Sequence, residues 1–301
     1  QFNIGLSTSF TGEDSLDIAI DNGSASLNPL GTTMGFDSGT GLVVDGVSYT
    51  FPVYGATMVV GDSTDISSTF TGACAYSSFT DYIGDCGTGS SIGAEGKGFT
   101  ASVGYAFDSG FTLAGGISSP QSALVGYTSD LYAIEGTYSA DNYGVALAFA
   151  LDDGGNPGAE TTYVGVNGYY VPDNEDFPTI SVGFETEESG GNEESGYFLG
   201  LSFDEVGPGS VELGVVTTDN FASSKDKLYT YEASYSYPVN DGMTITPGVF
   251  YTESATGADD LTGVAVKLHS LSNYLIRKSY THKKTYLTIG LFYCEKLLLN
   301  F

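Results

Sequence analysis

The sequence predicts an all-β chain closed into an antiparallel transmembrane β-barrel of about 16 strands, an even number, with the first strand missing from this chain. Three observations predict it. Short segments alternate apolar and polar residues from position 2 to about position 268. The connections between them are short, then long, then short again, without exception. Lys and Arg are only 9 of 301 residues, and on a lipid-facing wall at mid-depth each would cost about 2–4 kcal/mol. Tight turns on one side and large loops on the other are the pattern of an outer-membrane barrel, which a soluble sandwich has no reason to adopt.

Segments 2–10 and 15–21 flank the short connection 11–14. In the second segment Leu16, Ile18 and Ile20 form one row, and Asp17 and Asp21 belong to the other. A long connection, 22–45, leads to segments 46–51 and 56–61, joined at 52–55. The longest loop, 62–97, follows. In segment 98–107, Phe99, Ala101, Val103, Tyr105 and Phe107 alternate with Thr100, Ser102, Gly104 and Ala106. An Asp-Ser-Gly turn at 108–110 opens segment 110–117.

After the long connection 118–128, segments 129–138 and 143–151 meet at Ala-Asp-Asn, 140–142. Connection 152–160 is long and 171–177 short, with segments 161–170 and 178–185 between and after them. Ile180, Val182 and Phe184 oppose Ser181, Gly183 and Glu185. Residues 186–196 read as a long loop whose Glu187, Glu188, Glu193 and Glu194 are solvated acids. Segments 197–203 and 211–216 join at 204–210, and 217–228 is long. In segment 229–237, Tyr229, Tyr231, Tyr235 and Tyr237 oppose Thr230, Glu232, Ser234 and Ser236. An Asn-Asp-Gly turn at 240–242 leads to 243–251, and the long connection 252–260 to the fifteenth segment, 261–268. The apolar rows are expected on lipid and the polar rows on water.

Tyr105, Phe107, Phe111, Tyr138, Tyr143 and Tyr237 cluster at the short-turn ends, where an aromatic girdle would meet the membrane interface. Ordinary β-propensity of Tyr and Phe is the alternative. No stretch approaches the 18 or more apolar residues that a spanning helix needs. The chain starts at Gln1 already inside a strand pattern, as expected of a fragment or of a chain whose signal peptide has been removed.

The formal net charge is −28. Before position 268 the basic residues are Lys97, Lys225, Lys227 and Lys267, whereas every acid but Glu295 lies there. Such a surface repels nucleic acid and attracts cations, or reflects a generally acidic proteome. Six acids fall on water-facing rows: Asp17, Asp21, Glu135, Glu185, Glu212 and Glu232. With Lys97 and Lys267 as opposing charge at the rims, they are the pore-lining candidates, and carboxylate rings in a lumen favour cations.

Cys74 and Cys86 share the longest loop. In an oxidising compartment a disulfide between them would constrain the unfolded chain by about 3 kcal/mol; two free thiols are the alternative. The same loop holds Phe70, Tyr76, Phe79, Tyr82 and Ile83. That apolar content predicts a loop folded into the barrel and narrowing it, rather than an Ω-loop packed on itself outside. Both His residues, His269 and His282, lie beyond the alternating region, so no Ser-His-acid or Cys-His arrangement can be built inside it. No catalytic residue, cofactor or metal site is expected.

Several runs resemble the cyanobacterial outer-membrane porins, related to the OprB-like carbohydrate-selective porins. They are FNIGLSTSFTGED at 2–14, DGVSYTFP at 45–52, CAYSSFTDYIGDCG at 74–87, FTASVGYAFDSGFTLAGGISSP at 99–120 and TPGVFYTESATGADD at 246–260. The resemblance covers roughly residues 1–267. It implies a 16-stranded, trimeric porin that passes small hydrophilic solutes and ions through the outer membrane, iron or sugars among them in some members. Two departures are expected to matter. The surface-layer-homology region, the coiled segment and the first strand of that family are absent. Residues 268–301 form an atypical basic tail, with a translated frameshift or read-through as the simpler explanation. In the alternative, Tyr286, Thr288, Gly290 and Phe292 alternate with Leu287, Ile289, Leu291 and Tyr293 in a replacement strand that closes the barrel beside 2–10.

The sequence therefore predicts a cation-preferring diffusion pore. The competing readings are an acidic surface adhesin or structural barrel without a conducting pore, and a barrel hydrolase.

Overall fold

A computed structural model describes residues 2–23, 33–34, 41–94, 98–120, 129–155, 158–174, 176–217, 227–254, 259–274 and 285–293; for 2, 270–274 and 285–293 it describes the backbone only. Sixteen strands close into one antiparallel barrel in sequence order. They are β1 (Phe2–Thr8), β2 (Ser15–Asn22), β3 (Val43–Val53), β4 (Ala56–Asp62), β5 (Phe99–Ala106), β6 (Phe111–Ser119), β7 (Leu131–Ser139) and β8 (Tyr143–Asp152). Then come β9 (Thr161–Tyr170), β10 (Thr179–Ser189), β11 (Asn192–Val206), β12 (Gly209–Thr217), β13 (Tyr229–Asn240), β14 (Met243–Thr252), β15 (Leu261–Tyr274) and β16 (Thr285–Tyr293).

The two faces of this wall are reversed relative to a soluble barrel. Leu113, Ile134, Leu147, Val182 and Val249 are 48–59% exposed on the outside. Their inward neighbours in the alternation, such as Glu135, Ser181 and Thr230, are at most 1% exposed. Alternation fixes which residues share a face; only a lipid solvent makes the apolar face the outer one. Backbone polar groups are satisfied all round because the sheet has no free edge.

Two expectations change. Residues 186–196 are not a long loop. β10 and β11 run on as a ladder in which Glu187 pairs with Glu194 and Glu188 with Glu193, and only Gly190–Gly191 turns the chain. Carboxylates are tolerated in strands that project into water, so acid content does not mark the end of a strand. Lys227 lies 3.6 Å from Glu194 and donates to the Ser195 carbonyl, offsetting the like charges. The second change is at the closure. Phe2↔Leu291 to Ser7↔Tyr286 pair β1 with β16, and Val266↔Tyr293 to Tyr274↔Thr285 pair β16 with β15. The place beside β1 is taken by Thr285–Tyr293, the segment that the alternative reading of the tail names as a replacement closing strand.

The long connection from β4 to β5 turns inward. Its ends meet where the Ser63 N–H donates to the Gly98 carbonyl and the Ser67 N–H to the Ala94 carbonyl. Between them lie a short 3₁₀ turn, Ile66–Thr69, and an irregular 3₁₀ segment, Asp81–Gly87, kinked at Gly84–Cys86. Among the described residues, all four clusters of buried apolar side chains join this loop to the wall; for example, Ile66 and Ala94 pack on Leu131, Ala133 and Ala150.

Candidate functional site

The site is the lumen as this loop shapes it. Packing a loop against a wall strands its backbone N–H groups away from water, and each needs an acceptor. The lumenal face supplies them. The loop runs out past β7, β9 and β10, where Thr71 N–H reaches Glu135 Oε1 at 2.8 Å, Ala73 N–H reaches Asn167 Oδ1 at 2.8 Å and Ala75 N–H reaches Ser181 Oγ at 3.2 Å. At its far end the Phe79 and Thr80 amides donate to Glu232 at 2.7 Å each, and the Tyr76 and Thr80 hydroxyls donate at 2.9 and 2.6 Å. On the way back the Ser91 amide and hydroxyl donate to Glu185 at 2.7 and 2.5 Å. Cys74 and Cys86 are disulfide-bonded, Cα to Cα 5.7 Å, and tie the outward leg to the returning one.

The wall makes room for the loop with glycine. A Cβ on Gly116 would sit 2.8 Å from Ile66 Cγ2, one on Gly200 2.5 Å from Tyr76 Cδ2, and one on Gly248 2.6 Å from Phe79 Cζ. On Gly183 it would strike the Cys86 carbonyl, and on Gly165 the Ser91 hydroxyl. These glycines form a seat in which backbone lies directly on the sheet.

The candidate residues divide accordingly. Glu135, Glu185, Glu212 and Glu232 face inward but do not line water: they are 1%, 1%, 6% and 5% exposed. Their carboxylates are occupied by the loop, and Glu212 additionally by the Ser202 hydroxyl at 2.5 Å. This corrects their reading as pore lining. The physical reason is that the loop's amides compete with water for those oxygens and exclude it. Lys267 is not a rim charge either. It lies under the loop's far end, donating to the Ser78 carbonyl at 3.4 Å and lying 5.4 Å from the Phe79 ring centroid. Asp17 and Asp21 remain half-buried on the lumenal row of β2, and Asp17 accepts from Ser15 Oγ at 2.7 Å. Lys97 lies outside the described residues.

The loop itself presents polar groups to water. Asp65, Thr71, Ser77, Asp81 and Asp85 are exposed. Desolvation of the Asp85 carboxyl by the protein around it, and then the charge of Asp65, hold its pKa above the ordinary value. Sequence reasoning missed these three aspartates. The signal available was the contrast, within one loop, between buried apolar positions and Asp at 65, 81 and 85.

On the outer surface the six aromatic candidates all sit at the short-turn ends. Tyr105 and Phe107 are 4.8 Å apart between centroids, Phe111 and Tyr138 4.7 Å, and Tyr138 and Tyr143 5.9 Å. Tyr237 is exposed at the same end of β13. Tyr49 and Phe51, stacked at 5.3 Å, and exposed Tyr170 extend the set. A second aromatic set lies away from the short turns: Phe184 with Tyr197, and Tyr229, Tyr231 and Tyr251.

Among the described residues no three His, Cys, Asp or Glu side chains come together as a metal site. No helix among them is long and apolar enough to cross a membrane, which says nothing about strands.

No protein family and no curated protein matches the chain in sequence. Solved structures do match in shape. An anion-selective porin from Comamonas acidovorans superposes with a TM-score of 0.53 at 12% identity, covering 96% of this chain and 98% of that one. OmpT, an outer-membrane protein of Vibrio cholerae in a trimer form, superposes with a TM-score of 0.53 at 10% identity, covering 96% and 97%. The inward loop, the reversed faces and these likenesses agree: the chain has the fold of the outer-membrane porin barrels.

Proposed function

We propose that the protein is an outer-membrane porin through which small hydrophilic solutes and ions diffuse passively, with cations preferred. The observation that carries this reading is the loop folded into the barrel, with Asp65, Asp81 and Asp85 exposed on it and Lys267 half-buried beneath its far end. Exposed carboxylates beside a narrow passage concentrate cations and repel anions. The sign of selectivity belongs to such side chains and not to the fold, since one similar barrel is described as anion-selective. The chemistry is diffusion, not catalysis.

The resemblance to cyanobacterial porins supports inorganic cations, iron among them, and small sugars as cargo classes. It also supports a homotrimer, the form in which OmpT was solved. The aromatic sets are read as girdles at the two lipid interfaces. Residues 1–267 are read as the porin barrel and 268–301 as an atypical tail that lends it a closing strand.

Planar bilayers with a KCl gradient test the reading. Discrete channels whose reversal potential favours K⁺ are expected. Absence of channels, or a potential favouring Cl⁻, would overturn it.

A further inference from the structure

We propose that Glu135, Glu185 and Glu232 are positioning residues that set the bore of the channel by fixing how closely the loop lies to the wall. The proposal rests on the channel reading above. The three stand on β7, β10 and β13, one on every third strand. Each does the same thing: its two carboxylate oxygens are shared between two consecutive backbone amides of the loop. Glu135 takes Thr71 N–H on Oε1 at 2.8 Å and Gly72 N–H on Oε2 at 3.1 Å. Glu232 takes Phe79 N–H on Oε1 and Thr80 N–H on Oε2, both at 2.7 Å. Glu185 takes Ser91 N–H on Oε1 at 2.7 Å and Ser90 N–H on Oε2 at 3.4 Å.

These pairs fall on the outward leg, the far end and the returning leg of the loop. Three points fix a plane, so together they set the loop's distance from the wall as well as its register along it. The apolar clusters favour contact but do not specify it, because apolar attraction is non-directional. Carboxylate oxygens and amides specify it in angle and length. A glutamine in the same place keeps one acceptor and turns an NH₂ donor against an amide donor. An aspartate keeps the charge but falls a methylene short.

That difference supplies the test. E232Q, E232D and E185Q are compared with wild type in bilayers for three quantities: the largest neutral polyethylene glycol admitted, the open-channel current noise, and the K⁺/Cl⁻ reversal potential. Both Glu232 variants are expected to shift the polymer cut-off and raise the noise while the reversal potential stays at the wild-type value, because the carboxylates are buried from the ions. If E232D keeps the wild-type cut-off and noise while E232Q moves the reversal potential, the group acts as a pore charge and the proposal fails. It fails too if all three quantities are unchanged. Should a Glu232 variant not fold, E135D and E185D shorten the same carboxylate–amide contact at the other two points, and unchanged noise in both overturns the proposal. Hydrogen exchange at the Phe79 and Thr80 amides reads the same contact without any current: faster exchange is expected in E232D, and unchanged protection refutes the idea. A wild type that forms no channel sinks the channel reading alone, whereas silent variants of a conducting wild type sink only this one.

Discussion

Carboxylates in this chain do different work according to what donates to them. Asp14, in the connection between β1 and β2, accepts from the Ser9 and Thr11 hydroxyls at 2.6 and 2.8 Å, the Phe10 and Thr11 amides at 3.0 and 2.8 Å, and the Tyr49 hydroxyl at 2.6 Å. The Ser9 and Tyr49 hydroxyls, followed by the Thr11 amide, hold its pKa well below the ordinary carboxylate range. A depressed folded pKa stabilises the turn above the unfolded value, and that contribution is lost as pH falls through the folded one. Amide exchange protection at Phe10 and Thr11 is therefore expected to persist through pH 4, to weaken only in stronger acid, and to be lost at all pH values in D14A. Gly183 makes a second prediction. G183A drives a methyl into the Cys86 carbonyl and is expected to destabilise the barrel by about 1–3 kcal/mol in denaturant unfolding. G136A, with nothing within 4 Å of the new atom, is expected to be near neutral.

At the scale of the element, the inward loop concentrates what the sequence could and could not say. Its destination was legible in Tyr76, Phe79 and Ile83, too apolar for a solvated loop, and the strands were legible in their alternation and in turns such as 108–110. The role of the glutamates was not. Alternation places Glu135 on the inner row, but what covers it comes from Thr71, 64 residues earlier in the chain. The loop's aspartates were passed over because exposed and buried positions in an irregular segment follow no period. The glycine seat was hidden in plain composition: 42 glycines look like turn residues until some are found on the inner rows. Asp85 gives this element its pH dependence. Its raised pKa means that acidification discharges it at a pH where freely exposed carboxylates are still ionised. Cation preference is expected to begin falling with pH above the ordinary carboxylate range, and D65N, by removing the neighbouring charge, to move that fall to lower pH in reversal-potential measurements.

For the whole molecule the decisive structure is the closed ring. β16 is hydrogen-bonded to both β1 and β15, so a chain ending at residue 267 would leave β1 and a shortened β15 as unpaired edges. Open sheet edges are not tolerated in hydrocarbon. The shortened chain is expected to lose the compact, detergent-resistant band that folded barrels give on unheated gels, and the full chain to keep it. This ring was only partly readable from sequence. The rhythm of the connections gave strand order and orientation, but the closing segment sits where glycine and acids nearly vanish and the familiar composition ends.

The two hydrogen bonds at the base of the inward loop, Ser63 to Gly98 and Ser67 to Ala94, make that segment a detachable insert. Its ends already touch, so residues 68–93 could be replaced by a two-glycine bridge without stretching the wall. The emptied barrel would be a wide conduit whose interior carries Glu135, Glu185, Glu212 and Glu232 in open water. Stripped of its insert, the protein would become the acid-walled tube that its strand alternation describes, and polymer exclusion would register the change as a jump in admitted size.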